Sequence, residues 1–529
     1  MRIALIAPPY PLEQAPSPPL GICYVASTCV AAGHDVKIID YIVGQYTPEK
    51  LQAELAAYQP DILGATSVTM NFPQAVEIVK TAKRYAPHIV TMMGGPHVSF
   101  DYENVLLKHP EVDVIVAGEG ERTLKELLPV IHDKAKWHEI QGIAFAENGH
   151  IVKTATRPLI DDLDSLPIPN RDLLPMAKYL ALGFPVSIIT SRGCPNKCIF
   201  CLGRKMVGMK VRYRSAAKIV DEIEYLLSFG LSRINIADDF FTANKNRVAA
   251  FCEEIFKRDI KFTWSAFARV DSVSKETLLM MKKAGCDAVS FGIESGNPDI
   301  LKTVSKGITP DQAREAVQYC KDVGMIAHAS FIAGLPGETR ETLEETYNFA
   351  QSLNIPHGYH LLAPFPGTTL REKIDAYDLE ILSDDWDLYD ADHAIVRTSS
   401  LSENDLDVFV NAFNKQIEDE FEKSKERYNS GHYSDEDYFK VEGTRRMDVI
   451  FKILSEDMVE NMGTMVMASA NDDPSVMLAR LFAESMNEDA SYIEQIIRSL
   501  LNVHYLHFTR EANHVKWYWT QRSRTGVLN

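Results

Sequence analysis

Long apolar runs and excess positive charge are both missing from this chain. No apolar run reaches the roughly 18 residues of a membrane-spanning helix, so the sequence predicts no membrane span. The 55 Lys and Arg residues are outnumbered by 73 Asp and Glu residues, and the formal charge of −18 disfavours binding to nucleic acid. The start, MRIALIAPPYP, lacks the charged segment and cleavage site of a signal peptide. We therefore expect a cytoplasmic protein that binds no nucleic acid.

Cysteine is also scarce, with 8 residues among 529, which is too few for a disulfide framework. Five cysteines are scattered through apolar or helical surroundings and are predicted to be small buried hydrophobes. They are Cys23, Cys29, Cys252, Cys286 and Cys320. The other three, Cys194, Cys198 and Cys201, lie together in one short segment.

Strand-like and helix-like segments alternate over residues 1–135, which predicts a parallel, doubly wound sheet. Ligands of such sheets bind beyond the carboxyl ends of the strands. Three of the predicted strand ends are rich in small residues: GATSVT, GGPH and GEGE. The α/β fold of this region therefore predicts a binding site at these ends.

The rest of the chain divides into three predicted regions. Residues 136–185 are a connector with a small hairpin, GIAFAENGHIVK, and a proline-rich stretch. Residues 186–395 contain six strand–helix units, which predict a partial (β/α)6 barrel with its site at the carboxyl strand ends. Residues 396–529 are charged and helix-periodic, and predict a mostly α-helical C-terminal domain.

The segment SRGCPNKCIFC carries the strongest chemical signal. Its spacing, Cys194-x3-Cys198-x2-Cys201, follows a predicted strand directly. Three thiolates on one short loop can bind three irons of a [4Fe–4S] cluster and leave the fourth iron open for a ligand. A zinc site or a chance cluster are the alternatives. Zinc prefers four protein ligands, and no fourth Cys or His lies nearby in the sequence.

At these cysteines, and through residues 186–370, the sequence resembles the radical S-adenosylmethionine (SAM) superfamily. In that family the cluster donates one electron to SAM, and the resulting 5′-deoxyadenosyl radical abstracts a hydrogen atom from an unactivated carbon. The resemblance implies a SAM site formed by residues at the successive strand ends. The implied SAM contacts are Phe200, Asp238, Asp239, Arg269, Glu294, Ser295, Ile332 and Gly334. A helix cap at Asp238 and Asp239, and an ordinary salt bridge at Glu294, remain alternatives.

The N-terminal region resembles the cobalamin-binding domain that precedes the barrel in one large class of radical SAM enzymes. Glycines at strand ends would let a bulky corrin ring and its nucleotide tail approach the backbone. A generic doubly wound domain is the alternative. The implied cobalamin contacts are Thr66, Ser67, Thr69, Met70, Asn71, Gly94, Gly95, Pro96, His97, Gly118, Glu119 and Gly120.

One motif of other cobalamin proteins is missing. Methionine synthase and the mutases place a histidine below cobalt through an Asp-x-His-x-x-Gly motif, and none of the 15 histidines here has Asp two residues before it. The lower face of cobalt is therefore expected near Thr66 to Asn71, either empty, bound to water or capped by a side chain. His97 is expected to be a cofactor contact or a structural residue.

The resemblance implies a cobalamin-dependent radical SAM enzyme that methylates an unactivated carbon through a 5′-deoxyadenosyl radical and methylcobalamin. A cyclase similar to the anaerobic magnesium-protoporphyrin ester cyclase is the alternative. The carboxyl ends of the two sheets are expected to face each other. The expected partners are a small-molecule, lipid or peptide substrate and a one-electron reductant, flavodoxin or ferredoxin. A tRNA methylthiotransferase is disfavoured, because the first domain has no second set of three cysteines. A non-catalytic cobalamin carrier would leave the three cysteines unexplained.

Overall fold

The structure is a computed structural model that describes residues 1–10, 16–469, 471–511 and 513–520. The end of the predicted C-terminal domain, 521–529, lies outside the described residues. Within the described part, no helix is both long and apolar enough to cross a membrane. The architecture is α/β, with two sheets and a helical C-terminal region, as predicted.

The first sheet has seven strands in the order β2-β1-β3-β4-β5-β6-β7. Its first five strands are parallel, as the alternating pattern predicts. They are buried on both faces by helices, so they are almost continuously apolar. The strands are β1 (Arg2–Ala7), β2 (Asp35–Asp40), β3 (Ile62–Thr66), β4 (Val90–Gly94) and β5 (Val114–Val116). The helices are α1 (Leu20–Ala31), α2 (Pro48–Tyr58), α3 (Phe72–Tyr85), α4 (Pro96–Lys108) and α5 (Gly120–Leu127).

The predicted hairpin forms, but it belongs to the first sheet rather than to a free connector. Its strands are β6 (Ile143–Glu147) and β7 (His150–Lys153), and β6 pairs antiparallel with β5. The turn at Asn148 and Gly149 has φ values of 50° and 78°, which Asn and Gly tolerate best. The first sheet therefore continues beyond residue 135.

The proline-rich segment is ordered against the barrel. Arg171 is fully buried, and its guanidinium donates hydrogen bonds to the carbonyls of Pro169 (3.2 Å) and Ser187 (3.1 Å). The segment ends in α6 (Met176–Leu182).

The second sheet has six parallel strands in the order β15-β14-β13-β12-β11-β8, which is the partial barrel that the sequence predicts. A separate two-stranded pair, β9 and β10, follows β8. The strands are β8 (Val186–Ile188), β9 (Ser191–Arg192), β10 (Arg212–Tyr213), β11 (Arg233–Ile236), β12 (Thr263–Ala268), β13 (Cys286–Glu294), β14 (Ile326–Ala333) and β15 (His357–Leu361). The helices are α7 (Gly203–Val207), α8 (Ala216–Leu227), α9 (Lys245–Lys257), α10 (Lys275–Lys283), α11 (Pro298–Thr303), α12 (Pro310–Asp322), α13 (Arg340–Leu353) and α14 (Thr369–Glu372).

The C-terminal region is mostly helical and carries a small antiparallel sheet in the order β18-β20-β19. The aromatic segment near the C-terminus forms the antiparallel pair of β19 and β20. A short pair, β16 (Glu380–Ile381) and β17 (Val396–Arg397), precedes it. The remaining elements are α15 (Glu403–Asn429), α16 (Asp435–Ser455), α17 (Met458–Met462), β18 (Thr464–Val466), α18 (Pro474–Met486), α19 (Ala490–Asn502), β19 (Leu506–Glu511) and β20 (His514–Trp519).

From α16 onwards the C-terminal region packs on α6 and on the N-terminal domain, whereas α15 packs on β15 of the barrel. The apolar core of the part from α16 onwards includes Val43 and Tyr179. Asp457 accepts a hydrogen bond from Lys50 Nζ (2.6 Å) and lies 3.7 Å from Lys178 Nζ. Three parts of the chain therefore meet at one buried carboxylate.

Candidate functional site

The three cysteines lie in one loop, residues 193–211, whose base is closed by the antiparallel pair β9 and β10. Arg192 pairs with Arg212 across this base. Gly193 has a φ of 112°, and a Cβ there would lie 2.3 Å from the carbonyl oxygen of Lys210. Only glycine allows this close approach, and the loop therefore leaves β9 along a fixed path.

The surroundings of the sulfur atoms fit a cluster site. Cys198 is buried, and burial raises the pKa of its thiol. Asn196 Nδ2 donates to Cys194 Sγ (3.2 Å), and the Gly203 amide donates to Cys201 Sγ (3.4 Å). Hydrogen bonds to sulfur are one of the means by which proteins tune iron–sulfur clusters.

Within the described residues, no three His, Cys, Asp or Glu side chains converge closely enough to hold a single metal ion. Three cysteines of a [4Fe–4S] site bind three different irons, so they do not need to meet at one point. The donor set of three cysteines on one loop fits a cluster.

Two backbone hydrogen bonds attach the loop to the barrel. Ile199 donates to the Val304 carbonyl (3.1 Å), and Leu370 donates to the Ile199 carbonyl (2.9 Å). Phe200 follows directly and is partly buried, with Lys306 Nζ 6.0 Å from its ring centroid.

Several predicted SAM contacts gather around Cys198. Lys306, Arg269 and Glu294 all act electrostatically on its thiol. Glu294 is buried, has a φ of 73° and accepts a hydrogen bond from Lys306 Nζ (2.6 Å). Arg269 donates to both carboxylate oxygens of Asp271 (3.0 and 2.9 Å) and to the Lys306 carbonyl (2.9 Å). The salt bridge weighed for Glu294 is therefore present, with Lys306 as its partner.

Asp238 and Asp239 have different surroundings. Asp238 is buried and accepts hydrogen bonds from the amide and hydroxyl of Thr190 (2.5 Å each) and from the Ser191 hydroxyl (2.6 Å). Asp239 lies open to a cavity between the domains. Although its side chain is open, the surrounding protein displaces enough water to raise the pKa of the Asp239 carboxyl. The Asp239 carboxylate accepts a long hydrogen bond from the Gly193 amide (3.5 Å), and it is more available to a ligand than the buried Asp238.

Of the remaining predicted SAM contacts, Ser295 is fully buried and hydrogen-bonded to the Thr346 hydroxyl (2.9 Å). Ile332 is half-buried on β14. Gly334 has a φ of 91° and donates to Glu338 Oε2 (2.7 Å), and a Cβ there would lie 3.1 Å from Leu406. Ser295 and Gly334 are therefore held by the barrel and the C-terminal region.

A cavity of about 330 Å³ lies between the carboxyl ends of the two sheets. The barrel contributes Ile189, Arg192, Met206, Val207 and Asp239 to its wall. The two sheets therefore face each other, as expected. Seven predicted cobalamin contacts line it: Thr66, Gly94, Gly95, Pro96, Gly118, Glu119 and Gly120.

Gly118 leaves the backbone of the cavity wall open to a ligand, since no protein atom lies within 4 Å of its Cβ position, whereas Gly64 and Gly95 are required by the packing of the first domain itself. Gly64 lines the cavity, and a Cβ at Gly64 would lie 2.9 Å from Leu5 Cδ2. Gly95 has a φ of 105°, and a Cβ there would lie 2.4 Å from the Ser67 carbonyl. Sequence reasoning missed the apolar part of this wall, since apolar residues on β1, α1, β4, β5 and α5 look like ordinary core. The missed apolar residues of the first domain are Leu5, Leu20, Gly21, Ile22, Tyr24, Val25, Met92, Met93, Val116 and Leu124.

Five predicted cobalamin contacts lie outside the cavity lining: Ser67, Thr69, Met70, Asn71 and His97. His97 is buried, stacked on Phe72 (4.0 Å between ring centroids) and in edge contact with Trp386 (4.9 Å). Burial lowers the pKa of His97 to about 3, so this histidine is neutral. The segment after the barrel folds back over it, which favours the structural role among the two expected for this residue.

Trp386 and Tyr389 of the same segment pack against each other, with their ring centroids 4.8 Å apart. Tyr389 is fully buried, and its hydroxyl accepts from Arg371 (2.8 Å) and donates to the Ser383 carbonyl (2.8 Å). His360 is exposed beside Ile332 of the neighbouring strand.

The side chain of Glu119, predicted to contact cobalamin, is bound to the base of the cysteine loop. Its oxygens accept from Arg192 (3.0 Å) and from Arg212 (2.9 and 2.8 Å), and from the Ile160 amide (2.8 Å). Burial opposes ionisation, but these hydrogen bonds and charges outweigh it and hold the pKa of Glu119 below its usual value. Glu121 accepts a further bond from Arg192 (2.6 Å).

Comparison with known proteins agrees with this arrangement. The profile of the radical SAM superfamily matches residues 188–350, and that of the B12 binding domain matches residues 14–128. The chain is 39% identical over 399 residues to an uncharacterized methyltransferase of Pyrococcus horikoshii, covering 74% of this chain and 86% of that protein. It is 33% identical over 400 residues to the anaerobic magnesium-protoporphyrin IX monomethyl ester cyclase of Rubrivivax gelatinosus, covering 72% of each.

A solved structure shares the fold. The cobalamin-dependent S-adenosylmethionine radical enzyme OxsB, with aqua-cobalamin and SAM bound, matches with a TM-score of 0.68 at 19% identity, over 95% of this chain and 80% of that one. The two cofactor domains, the cysteine motif and these relatives together show that the chain belongs to the cobalamin-dependent radical SAM enzymes, which use a [4Fe–4S] cluster, SAM and cobalamin.

Proposed function

We propose that this enzyme methylates an unactivated carbon of a small-molecule, lipid or peptide substrate. The observation that supports this most is the cavity between the two sheets. One wall belongs to the cobalamin domain, and the other contains Asp239 and two residues of the cysteine loop, Met206 and Val207. A methyl donor on one side and a radical generator on the other would thus share one space.

The first sheet would hold cobalamin through its backbone and apolar surface. Gly94, Gly95, Gly118 and Gly120 keep side-chain bulk away from the strand ends, which suits the approach of a corrin ring. The apolar residues of β1, α1 and α5 suit the aromatic base of a nucleotide tail, since ligand pockets are mostly apolar with few polar groups.

The barrel would hold the cluster through Cys194, Cys198 and Cys201, and SAM through the neighbouring strand ends. Asp239 is the best candidate for the amino group of SAM, because its carboxylate is open to the cavity. Arg269 is the candidate for the carboxylate of SAM, since a guanidinium suits a carboxylate. When bound, the cluster and SAM supply a 5′-deoxyadenosyl radical, and cobalamin supplies the methyl group.

The chain's own residues would position the reactants and exclude water. The cavity is walled by apolar side chains, which protects a reactive carbon radical from solvent. The rigid attachment of the cysteine loop through Ile199 fixes where the radical forms. Cys201 is exposed and gives the reductant, flavodoxin or ferredoxin, a short path to the cluster.

A cyclase is the second candidate, supported by the 33% identity to the magnesium-protoporphyrin ester cyclase. The methyltransferase is preferred because the relative from Pyrococcus horikoshii shares 39% identity and bears that name.

The experiment uses protein purified without oxygen, loaded with cobalamin, supplied with a low-potential one-electron reductant and given methyl-labelled SAM. A methyltransferase transfers label to cobalamin and releases S-adenosylhomocysteine even before its substrate is known. A cyclase forms 5′-deoxyadenosine without this transfer, and that result would overturn the proposal. The matched controls are Cys198→Ala, expected to abolish 5′-deoxyadenosine, and Cys320→Ala, a buried barrel cysteine expected to retain it.

A further inference from the structure

The geometry points to Glu119 as a positioning residue that clamps the cobalamin domain to the base of the cysteine loop. This inference rests on the proposed function, because it concerns how the two cofactors are held relative to each other.

The first step of the argument concerns the base itself. Arg192 and Arg212 lie opposite each other in the two-residue pair that closes the loop. Two like charges facing each other across strands repel. One carboxylate bound to both guanidiniums removes that repulsion, and Glu119 is placed to do so. The base of the loop therefore depends on a residue of the other domain.

The second step concerns burial. The side chains of Glu119, Arg192 and Arg212 are 5%, 11% and 3% exposed. Solvent and salt screen ion pairs at an exposed surface, but they screen these buried ion pairs much less. These hydrogen bonds therefore hold the three side chains in one relative position. Arg192 also donates a hydrogen bond to Glu121, which belongs to the same cluster.

The third step concerns what the clamp joins. Glu119 lies between Gly118 and Gly120, which line the cavity on the cobalamin side. Arg192 lies two residues before Cys194, the first cysteine of the loop. A shift at the clamp would therefore move the cobalamin side of the cavity relative to the cluster.

The test variant is Glu119→Gln, which keeps the shape and loses the charge. The matched control is Asp113→Asn, at the opposite end of the same strand. Asp113 binds Lys83 (2.6 Å) and the Thr91 amide (2.9 Å) within the first domain. Both variants lose a carboxylate with charged and backbone partners, but only Glu119 reaches the barrel.

The first readout is the distance distribution between cob(II)alamin and the reduced cluster, measured by pulsed electron paramagnetic resonance. The second is the rate of label transfer from SAM to cobalamin, compared with 5′-deoxyadenosine formation. We expect Glu119→Gln to broaden the distribution and to slow the transfer roughly 10- to 100-fold, since small misplacements cost that much. The transfer should be slowed more than 5′-deoxyadenosine formation is. Asp113→Asn should leave both readouts as in the wild type.

Wild-type distances and transfer rates in a loaded Glu119→Gln variant would overturn the clamp. If Glu119→Gln does not bind both cofactors, Glu119→Asp is the second test variant. It keeps the negative charge, but its side chain is one methylene shorter and cannot reach both arginines. A broadened distribution in Glu119→Asp supports the clamp, and a wild-type distribution overturns it. Absence of label transfer in the wild type would instead refute the methyltransferase proposal, while the distance distributions would still test the clamp.

Discussion

The carboxyl ends of the two sheets face the same cavity but present different chemistry to it. The first sheet offers glycines, apolar side chains and backbone. The second contributes Arg192 and Asp239 to the cavity wall, and it holds further charged pairs near Cys198: Arg269 with Asp271, and Glu294 with Lys306. The proposed function therefore has cobalamin recognised mainly by shape and SAM mainly by charge, because buried charges need partners whereas a glycine-lined wall does not.

Removing one cysteine of the barrel should have the largest effect of the changes considered. Cys198→Ala should abolish cluster binding, so that iron falls from about four per chain to background and 5′-deoxyadenosine is no longer formed. Cobalamin binding should persist, because the first sheet does not use this thiol. Iron analysis and chromatography of SAM products are the measurements. Retention of iron in Cys198→Ala would contradict the assigned ligand set.

A bulky side chain in the glycine-lined wall of the first domain should affect the binding of cobalamin. Gly94→Leu adds bulk to the cavity wall, at a residue whose φ is not positive, and should weaken cobalamin binding by roughly 100-fold. Equilibrium dialysis measures the affinity. Gly443→Leu is the control, because Gly443 is exposed on α16 with nothing within 4 Å of its Cβ position. Equal cobalamin affinity in the two variants would show that this cavity does not bind cobalamin.

A substitution among the charged residues at the strand ends of the barrel should weaken the binding of SAM instead of cobalamin. Arg269→Ala removes three charge-assisted hydrogen bonds near Cys198 and should weaken SAM binding roughly 10- to 100-fold while cobalamin affinity stays constant. Arg258→Ala removes an arginine bonded to Asp221 and Glu254 on the outer helices, and should leave SAM affinity unchanged. A normal SAM affinity in Arg269→Ala would show that this arginine only supports the barrel.

The two regions should also differ in how pH changes the stability of the protein. Burial raises the pKa of Glu338, beside Gly334, to about 8 from the usual 4.5, so the folded barrel binds a proton that the unfolded chain releases. Stability should therefore fall as pH rises from about 4.5 to about 8, by a few kcal/mol in all. Glu338→Gln should flatten this slope in urea-unfolding midpoints, and an unchanged slope would refute the assignment.

His97, at the first sheet, should give the opposite slope. Its pKa is lowered to about 3, so the unfolded chain binds a proton that the folded chain does not. Stability should be lost as pH falls below about 6.5, and His97→Gln should reduce that loss in the same unfolding measurements. If acid stability of His97→Gln equals that of the wild type, His97 is not the buried neutral histidine of the structure.

The features that could be predicted are those that depend on residues close together in the sequence. The cysteine spacing, the strand–helix alternation and the glycine-rich strand ends each lie within one short segment. The sequence therefore predicted both sheets, the cysteine loop and seven residues of the cavity wall.

Contacts between distant segments could not be predicted in this way. Trp386 covers His97 from a position almost 300 residues further along the chain, and no periodicity encodes that contact. Glu119 binds Arg192 and Arg212, so its partners belong to another domain. The apolar wall residues were missed because burial in a core and burial under a ligand require the same side chains.

The most direct test of the shared cavity is the electron paramagnetic resonance spectrum of cob(II)alamin in the loaded wild-type enzyme, recorded with the cluster oxidised and then reduced. If both cofactors meet between the two sheets, reduction of the cluster should broaden the cob(II)alamin signal through magnetic interaction. An identical spectrum in both states, from protein that contains about four irons and one cobalamin per chain, would contradict the account.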